Sequence, residues 1–346
     1  TCPVKAVILE KFGGPENLKS TELPDPVPGP GEVLLRVRAC ALNHLDLFVR
    51  DGIPAYKIAL PHILGCDVAG EVAALGPGVT AVKAGQRMAV SPGRSCLRCD
   101  ACLAGKDNDC RQYGIIGAQG GPGGYAELLC VPEAYLLPIP DALSFEEAAA
   151  YPLTFLTAWH MLMTLGACGP DQTVLVMGAG SGVGVAAIQL AKLAGARVIA
   201  ASTSEEKLAR AKALGADFLI HSPPQDLVRQ TTRLTGGAMA DIVVEHVGPA
   251  VFDGALKCLK TGGRLVTCGS TTGPVVELDM RFVFSRQLQI LGSKMGTQAE
   301  MRRVARLVAQ GKLKPVVDRR FPLAEARQAQ QYLAAKKQFG KVLLTV

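Results

Sequence analysis

The chain has 346 residues, of which 49% are hydrophobic and 19% are charged. At roughly 100–200 residues per domain, this length predicts two domains, each with its own core. The high apolar content and the aperiodic glycines exclude a disordered or collagen-like chain. No apolar run reaches the roughly 18–20 residues of a membrane span, and the first residues lack the pattern of a secretory signal. We therefore expect a cytoplasmic protein with no membrane partner.

The formal net charge is +7, but the lysines and arginines are spread among acidic residues. Because no basic run stands out, a nucleic-acid partner is not expected. A mildly positive surface would suit a phosphorylated cofactor or an anionic substrate.

Short β-branched runs separated by glycine and proline fill the first third of the chain. Such runs predict a compact domain of mostly antiparallel strands. The clearest predicted strands span residues 33–37, 68–72 and 87–90.

From residue 173 onward, apolar strands alternate with amphipathic helices. This alternation predicts βαβ units and a doubly wound parallel sheet, so the fold class is α/β with a mostly-β first domain. Strands are predicted at 173–177, 197–201, 217–220, 241–245, 264–268 and 341–346, and helices at 183–193, 205–214 and 298–310.

A glycine-rich loop follows the first strand of this second region. It reads Gly178-Ala179-Gly180-Ser181-Gly182-Val183-Gly184. Small residues let the chain turn sharply, and the N–H groups at a helix N-terminus can then approach a pyrophosphate. In its strand–loop–helix context the loop predicts a dinucleotide site. The expected cofactor contacts are Gly180, Ser181, Gly182 and Val183.

The end of the next strand indicates which nicotinamide cofactor binds. An acidic residue there would bind the ribose 2′-hydroxyl of NADH, whereas this chain has Ser202. Ser204 can hydrogen-bond a 2′-phosphate and Lys207 can neutralise it. Ser204 can also be a helix N-cap and Lys207 a solvated side chain, and both descriptions can hold together. The pattern favours NADPH over NADH.

Four of the 11 cysteines crowd into one short polar segment. Four thiolates at this spacing suit a tetrahedral zinc ion with a closed shell that leaves no position for a substrate. An iron–sulfur cluster or free thiols are the alternatives. We expect one structural Zn²⁺ per chain, held by Cys96, Cys99, Cys102 and Cys110.

Further short segments carry a resemblance to a known family. They are residues 28–33, 65–72, 154–158, 262–264 and 340–342, and Asn43-His44-Leu45-Asp46. In this order, and with the glycine loop and the cysteines, the chain resembles the medium-chain dehydrogenase/reductase superfamily over essentially its whole length. The resemblance implies a GroES-like catalytic domain at 1–150 with a zinc lobe at about 94–112. It also implies a Rossmann NADP-binding domain at 151–290. Residues 291–346 would end that domain and return to the catalytic domain, with the active site in the cleft.

The zinc alcohol dehydrogenases of this superfamily hold a catalytic zinc on two cysteines and a histidine. The matching positions here are Asn43, Cys66 and Leu153, of which only the cysteine is a good ligand. The hydroxyl that relays the alcohol proton is replaced by Leu45. An atypical metal site remains an alternative, built from Cys66 with Asp67, His44 or His62.

The segment from Asn43 to Asp46 resembles instead the zinc-free quinone oxidoreductase branch. That resemblance implies NADPH-dependent hydride transfer to the β-carbon of a conjugated carbonyl, in a small enone or quinone. The alternatives are a zinc-dependent alcohol dehydrogenase or carbonyl reductase, an acryloyl- or enoyl-CoA reductase acting on a thioester, and a protein that binds NADPH without turnover.

The resemblance also suggests individual roles. Asn43 would position the cofactor ribose and the substrate, and Tyr56 would offer a hydroxyl donor. Lys341 would approach a cofactor phosphate or be a plain surface charge. Residues 287–293 would pair edge to edge with a second subunit in a homodimer or homotetramer, or form an internal sixth strand, which has the same pattern. Further cofactor contacts are expected from Thr157, Val247, Gly269 and Ser270.

Overall fold

Two units make up the chain in the computed structural model, which describes residues 3–54, 56–221 and 224–346. The first unit combines the chain up to Leu153 with the segment from Thr297 to the end, and the second is Thr154–Gly296. The inserted unit therefore begins at residue 154 and ends at residue 296.

Short strands dominate the N-terminal part of the first unit. The strands are β1 (Val4–Leu9), β2 (Leu18–Leu23), β3 (Glu32–Ala41), β4 (His62–Ile63), β5 (Asp67–Leu75), β6 (Arg87–Val90), β7 (Gly93–Arg94), β8 (Gly114–Ile115), β9 (Leu128–Pro132) and β10 (Leu136–Pro138). The helices are α1 (His44–Asp51), α2 (Asp100–Leu103) and α3 (Phe145–Ala149).

Strands and helices alternate in the second unit, after α4 (Pro152–Trp159) and a π-helical turn at His160–Leu165. The strands are β11 (Thr173–Val176), β12 (Arg197–Ser202), β13 (Phe218–His221), β14 (Ala240–Glu245), β15 (Leu259–Thr267) and β16 (Gln289–Gly292). The helices are α5 (Gly182–Leu193), α6 (Glu205–Ala213), α7 (Leu227–Leu234), α8 (Phe252–Lys257) and α9 (Met280–Ser285).

The C-terminal segment completes the main sheet of the first unit. It contains α10 (Gln298–Ala309), β17 (Val317–Pro322), α11 (Ala326–Ala334) and β18 (Lys341–Thr345). The sheet runs in the order β10-β6-β5-β3-β18-β17, with β9 also paired to β3. All its pairs are antiparallel except β17 with β18.

The register of this sheet brings three chain segments together. Ala41 at the end of β3 lies opposite both Asp67 and Leu343. Lys341, at the start of β18, therefore lies just beyond the end of β3, where Asn43 follows. Residues that are far apart in the sequence meet at this corner of the sheet.

The second unit is a parallel sheet in the order β13-β12-β11-β14-β15-β16. In chain order this is 3-2-1-4-5-6, and the order reverses between β11 and β14. The central strands are buried on both faces, as the fully buried Val174, Leu175 and Val176 of β11 show. The predicted α/β class, with a doubly wound sheet and a mostly-β unit, is confirmed.

Strand β15 differs most from its predicted range. It begins at Leu259 rather than at residue 264, and its pairing with β14 is irregular between Ala240 and Ile242. Gly262, with φ of +75°, lies within the extra residues of this irregularity. The first half of β15 was not predicted as a strand, because the glycines in it are typical of a turn.

No helix in the described ranges is both long and apolar enough to cross a membrane.

Candidate functional site

The loop after β11 in the second unit turns sharply into α5. Gly178 has φ of +60°, in the left-handed region that favours glycine. A Cβ on Gly184 would lie 2.5 Å from the Gly178 carbonyl oxygen, so the helix packs directly on the loop. Ser181 caps the helix by accepting the Gly184 N–H at 2.9 Å. The first-turn N–H groups of Gly182 and Val183 have no intrahelical acceptor and can bind an anion.

Serine side chains lie at the end of β12, at the position where an acidic residue would bind the ribose 2′-hydroxyl of NADH. The Ser204 N–H donates to Ser202 Oγ at 3.2 Å, and Ser204 Oγ accepts the Lys207 N–H at 3.3 Å, which makes Ser204 the N-cap of α6. Lys207 reaches the glycine loop, because a Cβ on Gly180 would lie 2.6 Å from Lys207 Cδ. The predicted residues Gly180, Ser202, Ser204 and Lys207 are therefore neighbours.

The loop after β14 is held by a buried carboxylate. Glu245 accepts the N–H of Val247 at 2.6 Å and of Gly248 at 2.7 Å. Burial raises the pKa of Glu245, and these hydrogen bonds oppose the rise. Thr272, on the loop after β15, donates its N–H to the Val247 carbonyl at 2.8 Å, so the two loops are joined.

The remaining predicted cofactor residues lie on these loops and on α4. Gly269 and Ser270 follow β15, and Ser270 Oγ donates to the Gly273 carbonyl. Thr157 is buried on α4, with its hydroxyl 3.9 Å from Met295 Sδ. Their contacts with a cofactor stay predictions.

Asn43, Asp67 and Lys341 meet in the first unit, at the corner of the sheet described above. Lys341 Nζ donates to Asn43 Oδ1 at 2.5 Å and to Asp67 Oδ2 at 2.9 Å. Asn43 Nδ2 donates to Asp67 Oδ2 at 2.9 Å and to Cys66 Sγ at 3.3 Å. The side chain of Lys341 is only 4% exposed, so its description as a plain surface charge is wrong.

A second carboxylate lies beside this network. Asp46 accepts the N–H of Asn43 at 2.7 Å and of Gly65 at 3.1 Å. Burial raises the pKa of Asp46 to about 7, against the effect of these bonds and of Lys341. Burial, together with Lys336 and Lys341, lowers the pKa of His44 to about 4, so that imidazole is neutral at pH 7.

The positions that match the catalytic-zinc ligands of alcohol dehydrogenases do not fit a zinc ion. Leu153 has no side-chain donor, and its N–H donates to Asp67 Oδ1 at 2.8 Å. Burial, with Asp67 and Asp46, raises the pKa of the Cys66 thiol well above its usual range. The carboxylate of Asp67 already accepts three hydrogen bonds, one of them from the ammonium group of Lys341, which would repel a metal cation.

The two histidines considered for an atypical metal site give it no support. His44 is neutral but lies near two lysines. His62 is hydrogen-bonded to the backbone of Gly117, and burial lowers its pKa. Among the residues that the structure describes, the one group of three or more potential metal ligands is the cysteine cluster.

Tyr56 lies on the loop that follows α1 and is half-buried. Its side chain is hydrogen-bonded to Gln119, and burial raises the pKa of the phenol, with a smaller contribution from Cys66. The hydroxyl is therefore protonated at neutral pH and can act as a donor.

The four cysteines of the lobe lie with their sulfur atoms within 4.8 Å of one another. Cys96 Sγ lies 3.5 Å from Cys110 Sγ and 3.9 Å from Cys102 Sγ, and Cys99 Sγ lies 3.5 Å from Cys102 Sγ. Tetrahedral Zn–S bonds of about 2.3 Å place sulfur atoms about 3.8 Å apart. These residues fit a structural zinc ion.

The lobe is anchored to the start of α10. Asp107 accepts the Gln298 N–H at 3.1 Å, and Gln298 Nε2 donates to Ser91 Oγ and to the Gly93 carbonyl, both at 2.9 Å. The C-terminal segment therefore supports the residues that precede the first cysteine.

Two family models match the chain: the alcohol dehydrogenase GroES-like domain at residues 29–141 and the zinc-binding dehydrogenase at 182–310. An alcohol dehydrogenase of Geobacillus stearothermophilus is 35% identical over 91% of this chain and 92% of its own length. A quinone oxidoreductase of Pseudomonas aeruginosa is 32% identical over 98% of this chain and 99% of its own length. The solved structure of an NAD-dependent alcohol dehydrogenase has a TM-score of 0.96 and 50% identity, covering 99% of both chains.

The chain is a medium-chain dehydrogenase/reductase of the zinc-binding alcohol dehydrogenase type. Members of this family are oxidoreductases, and this chain is one of them. The cysteine cluster is consistent with the structural zinc of such enzymes.

Two pairings in this medium-chain dehydrogenase/reductase were missed from the sequence. The contact between Lys341 and Asp67 was not predicted. The two residues are 274 positions apart in the sequence. The contact between His246 and Ser181, in which His246 Nε2 lies 2.8 Å from Ser181 Oγ, was also not predicted. The second pair follows from the sheet order, because Ser181 and His246 lie after the neighbouring strands β11 and β14. For the first pair no local pattern signals the contact.

Proposed function

We propose that the chain is an NADPH-dependent reductase of carbon–carbon double bonds conjugated to a carbonyl, or of quinones, which works without a catalytic metal. The observation that carries this proposal is the buried network of Lys341, Asp67 and Asn43. Asn43 stands at one of the positions that match the catalytic-zinc ligands of the family's alcohol dehydrogenases, and the network contacts the other two, through Cys66 Sγ and the Leu153 N–H.

Alcohol oxidation needs a Lewis acid to polarise the oxygen and a relay to remove its proton. Neither is supported here, because Leu153 has no side-chain ligand for a metal, Asp67 is paired with the ammonium group of Lys341, and Leu45 has no proton to pass. Conjugate reduction needs mainly orientation, a hydrogen-bond donor to the developing enolate oxygen and exclusion of water. The residues of the first unit suit the second reaction better.

Bound NADPH would supply the hydride. Tyr56 would donate its hydroxyl hydrogen bond to the substrate carbonyl oxygen, since its raised pKa keeps the phenol protonated. The side chain of Asn43 can serve a cofactor or substrate only as a hydrogen-bond acceptor. Both amide hydrogens are used by Cys66 and Asp67, so only Oδ1 can accept a further hydrogen bond, for example from a ribose hydroxyl.

The preference for NADPH rests on the end of β12. Ser202 carries no charge that would repel a 2′-phosphate, and Ser204 offers a hydroxyl. The aliphatic part of the Lys207 side chain packs against the glycine loop at Gly180, and its ammonium group would neutralise the phosphate. The residues fit a phosphorylated adenosine ribose, and an acid that would bind an unphosphorylated ribose is missing from the position of Ser202.

A homodimer or homotetramer is part of the proposal. Strand β16 is the last strand in its sheet order, and most of its residues are exposed. An exposed strand edge of this kind can pair with the same edge of a second copy.

The test is an NADPH oxidation assay on purified protein with enones, quinones and crotonyl-CoA, run beside aldehydes and ketones. Alcohols with NADP⁺ test the reverse reaction. We expect turnover with conjugated substrates, a loss of at least tenfold in kcat for Tyr56→Phe, and a shift towards NADH for Ser202→Asp. Turnover confined to alcohols and simple carbonyls, with two zinc ions per chain, would overturn the proposal.

A further inference from the structure

Ser181 and His246 face each other at the point where the strand order of the second unit reverses. Ser181 lies in the loop after β11, and His246 directly follows β14, the neighbour of β11. Ligands of doubly wound sheets bind in the crevice at this point, outside the carboxyl ends of the strands. Ser181 Oγ and His246 Nε2 lie 2.8 Å apart.

The hydrogen bond with His246 is compatible with the capping role of Ser181. Ser181 Oγ already accepts the Gly184 N–H at 2.9 Å, in its role as the cap of α5. A hydroxyl carries one hydrogen and two lone pairs, so Ser181 Oγ can keep this bond and still pair with His246 Nε2 in either tautomer of the ring. The histidine thereby fixes the rotamer in which Ser181 caps the helix.

The position of His246 is itself constrained by the residues around it. The carboxylate of Glu245 holds the N–H groups of Val247 and Gly248, which fixes the loop on which His246 lies. His246 is 8% exposed, and its imidazole packs on the glycine loop. A Cβ on Gly178 would lie 3.0 Å from His246 Nε2, so the glycine makes room for the ring.

We propose that His246 is a positioning residue for the cofactor pyrophosphate, acting through Ser181. With Ser181 held as the cap, the N–H of Gly184 is occupied and those of Gly182 and Val183 remain available to the phosphate oxygens. Without His246, the Ser181 hydroxyl is free to rotate into the space that the phosphate needs. The inference rests on the proposed function only in that the chain binds a dinucleotide.

Binding of cofactor fragments tests this role without an activity assay. ADP-ribose contains the pyrophosphate, whereas adenosine 2′-monophosphate contains no 5′-phosphate. We expect His246→Ala to raise the Kd of ADP-ribose and of NADPH about fivefold, the equivalent of one hydrogen bond. The Kd of adenosine 2′-monophosphate is expected to stay within twofold of wild type. Calorimetric titration measures all three.

Two further variants separate positioning from a general structural role. His246→Gln keeps a hydrogen-bonding partner for the Ser181 hydroxyl and is expected to retain wild-type affinity for ADP-ribose. In a Ser181→Ala background, His246→Ala is expected to change the Kd by less than twofold, because the partner is already gone. An equal loss for all ligands, or the same fivefold effect without Ser181, would overturn the inference.

The outcomes also distinguish this inference from the proposed cofactor preference. A wild-type protein that binds NADH more tightly than NADPH contradicts the preference, but the ADP-ribose comparison still supports or overturns the role of His246. Failure of the wild type to bind ADP-ribose and both dinucleotides would overturn both.

Discussion

The ammonium group of Lys341 lies 2.9 Å from the Asp67 carboxylate, and the two side chains are 4% and 0% exposed. Buried ions are stable only when each is paired and hydrogen-bonded. Asn43 completes the pair by accepting from Lys341 and donating to Asp67. The positive charge beside Asp67 is therefore provided by the last strand of the chain.

Replacing Lys341 by Met is expected to destabilise the protein. The substitution keeps most of the side-chain volume but leaves Asp67 as an unpaired buried charge. Breaking a buried ion pair in this way costs roughly 3–5 kcal/mol. Urea unfolding followed by circular dichroism measures the loss.

The double variant Lys341→Met with Asp67→Asn is the control for this prediction. A neutral amide at position 67 needs no counter-ion, so at least half of the lost stability should return. If the double variant is as unstable as Lys341→Met alone, the loss comes from packing and not from the unpaired carboxylate.

We expect close to one zinc ion per chain by elemental analysis of desalted protein. Cys110→Ser removes one of four sulfur ligands and should reduce the zinc content to near zero, with a lower melting temperature. Cys130→Ser is the matched control, because Cys130 is a free cysteine in β9, outside the cluster, and should leave the zinc content unchanged. A value near two would contradict the conclusion that Asn43, Cys66 and Leu153 do not bind zinc.

Local patterns in the sequence were enough to predict the fold class, the glycine loop and the cysteine cluster. Each depends on residues that are close in sequence, such as the strand, loop and helix around Gly180 or the four cysteines of one lobe. The network of Lys341 and Asp67 was not predicted, because its members are joined by strand pairing between β18 and β3 and between β3 and β5. A single sequence does not show which distant strands pair.

Gly180→Ala is expected to weaken NADPH binding more than NADH binding. The added methyl group would lie 2.6 Å from Lys207 Cδ, so the lysine side chain must move away from the loop. Losing a charge-assisted contact with the 2′-phosphate corresponds to roughly a tenfold rise in Kd. NADPH fluorescence titration measures the change.

Gly169→Ala is the matched control, because nothing lies within 4 Å of a Cβ at Gly169. It should leave the Kd values of both cofactors unchanged. Equal weakening of NADPH and NADH by Gly180→Ala would argue against a role for Lys207 at the 2′-phosphate.

His44 should make the protein more sensitive to acid. Its pKa is lowered from 6.5 to about 4 in the folded chain, by burial and by Lys336 and Lys341. Between these values the unfolded chain binds a proton that the folded chain does not, so the free energy of unfolding decreases as the pH falls from 6.5 to 4. The full effect is roughly 3 kcal/mol. His44→Gln should lack this part of the pH dependence. Urea unfolding at pH 4.5, 5.5 and 7 measures the difference, and parallel profiles for wild type and His44→Gln would contradict the shifted pKa.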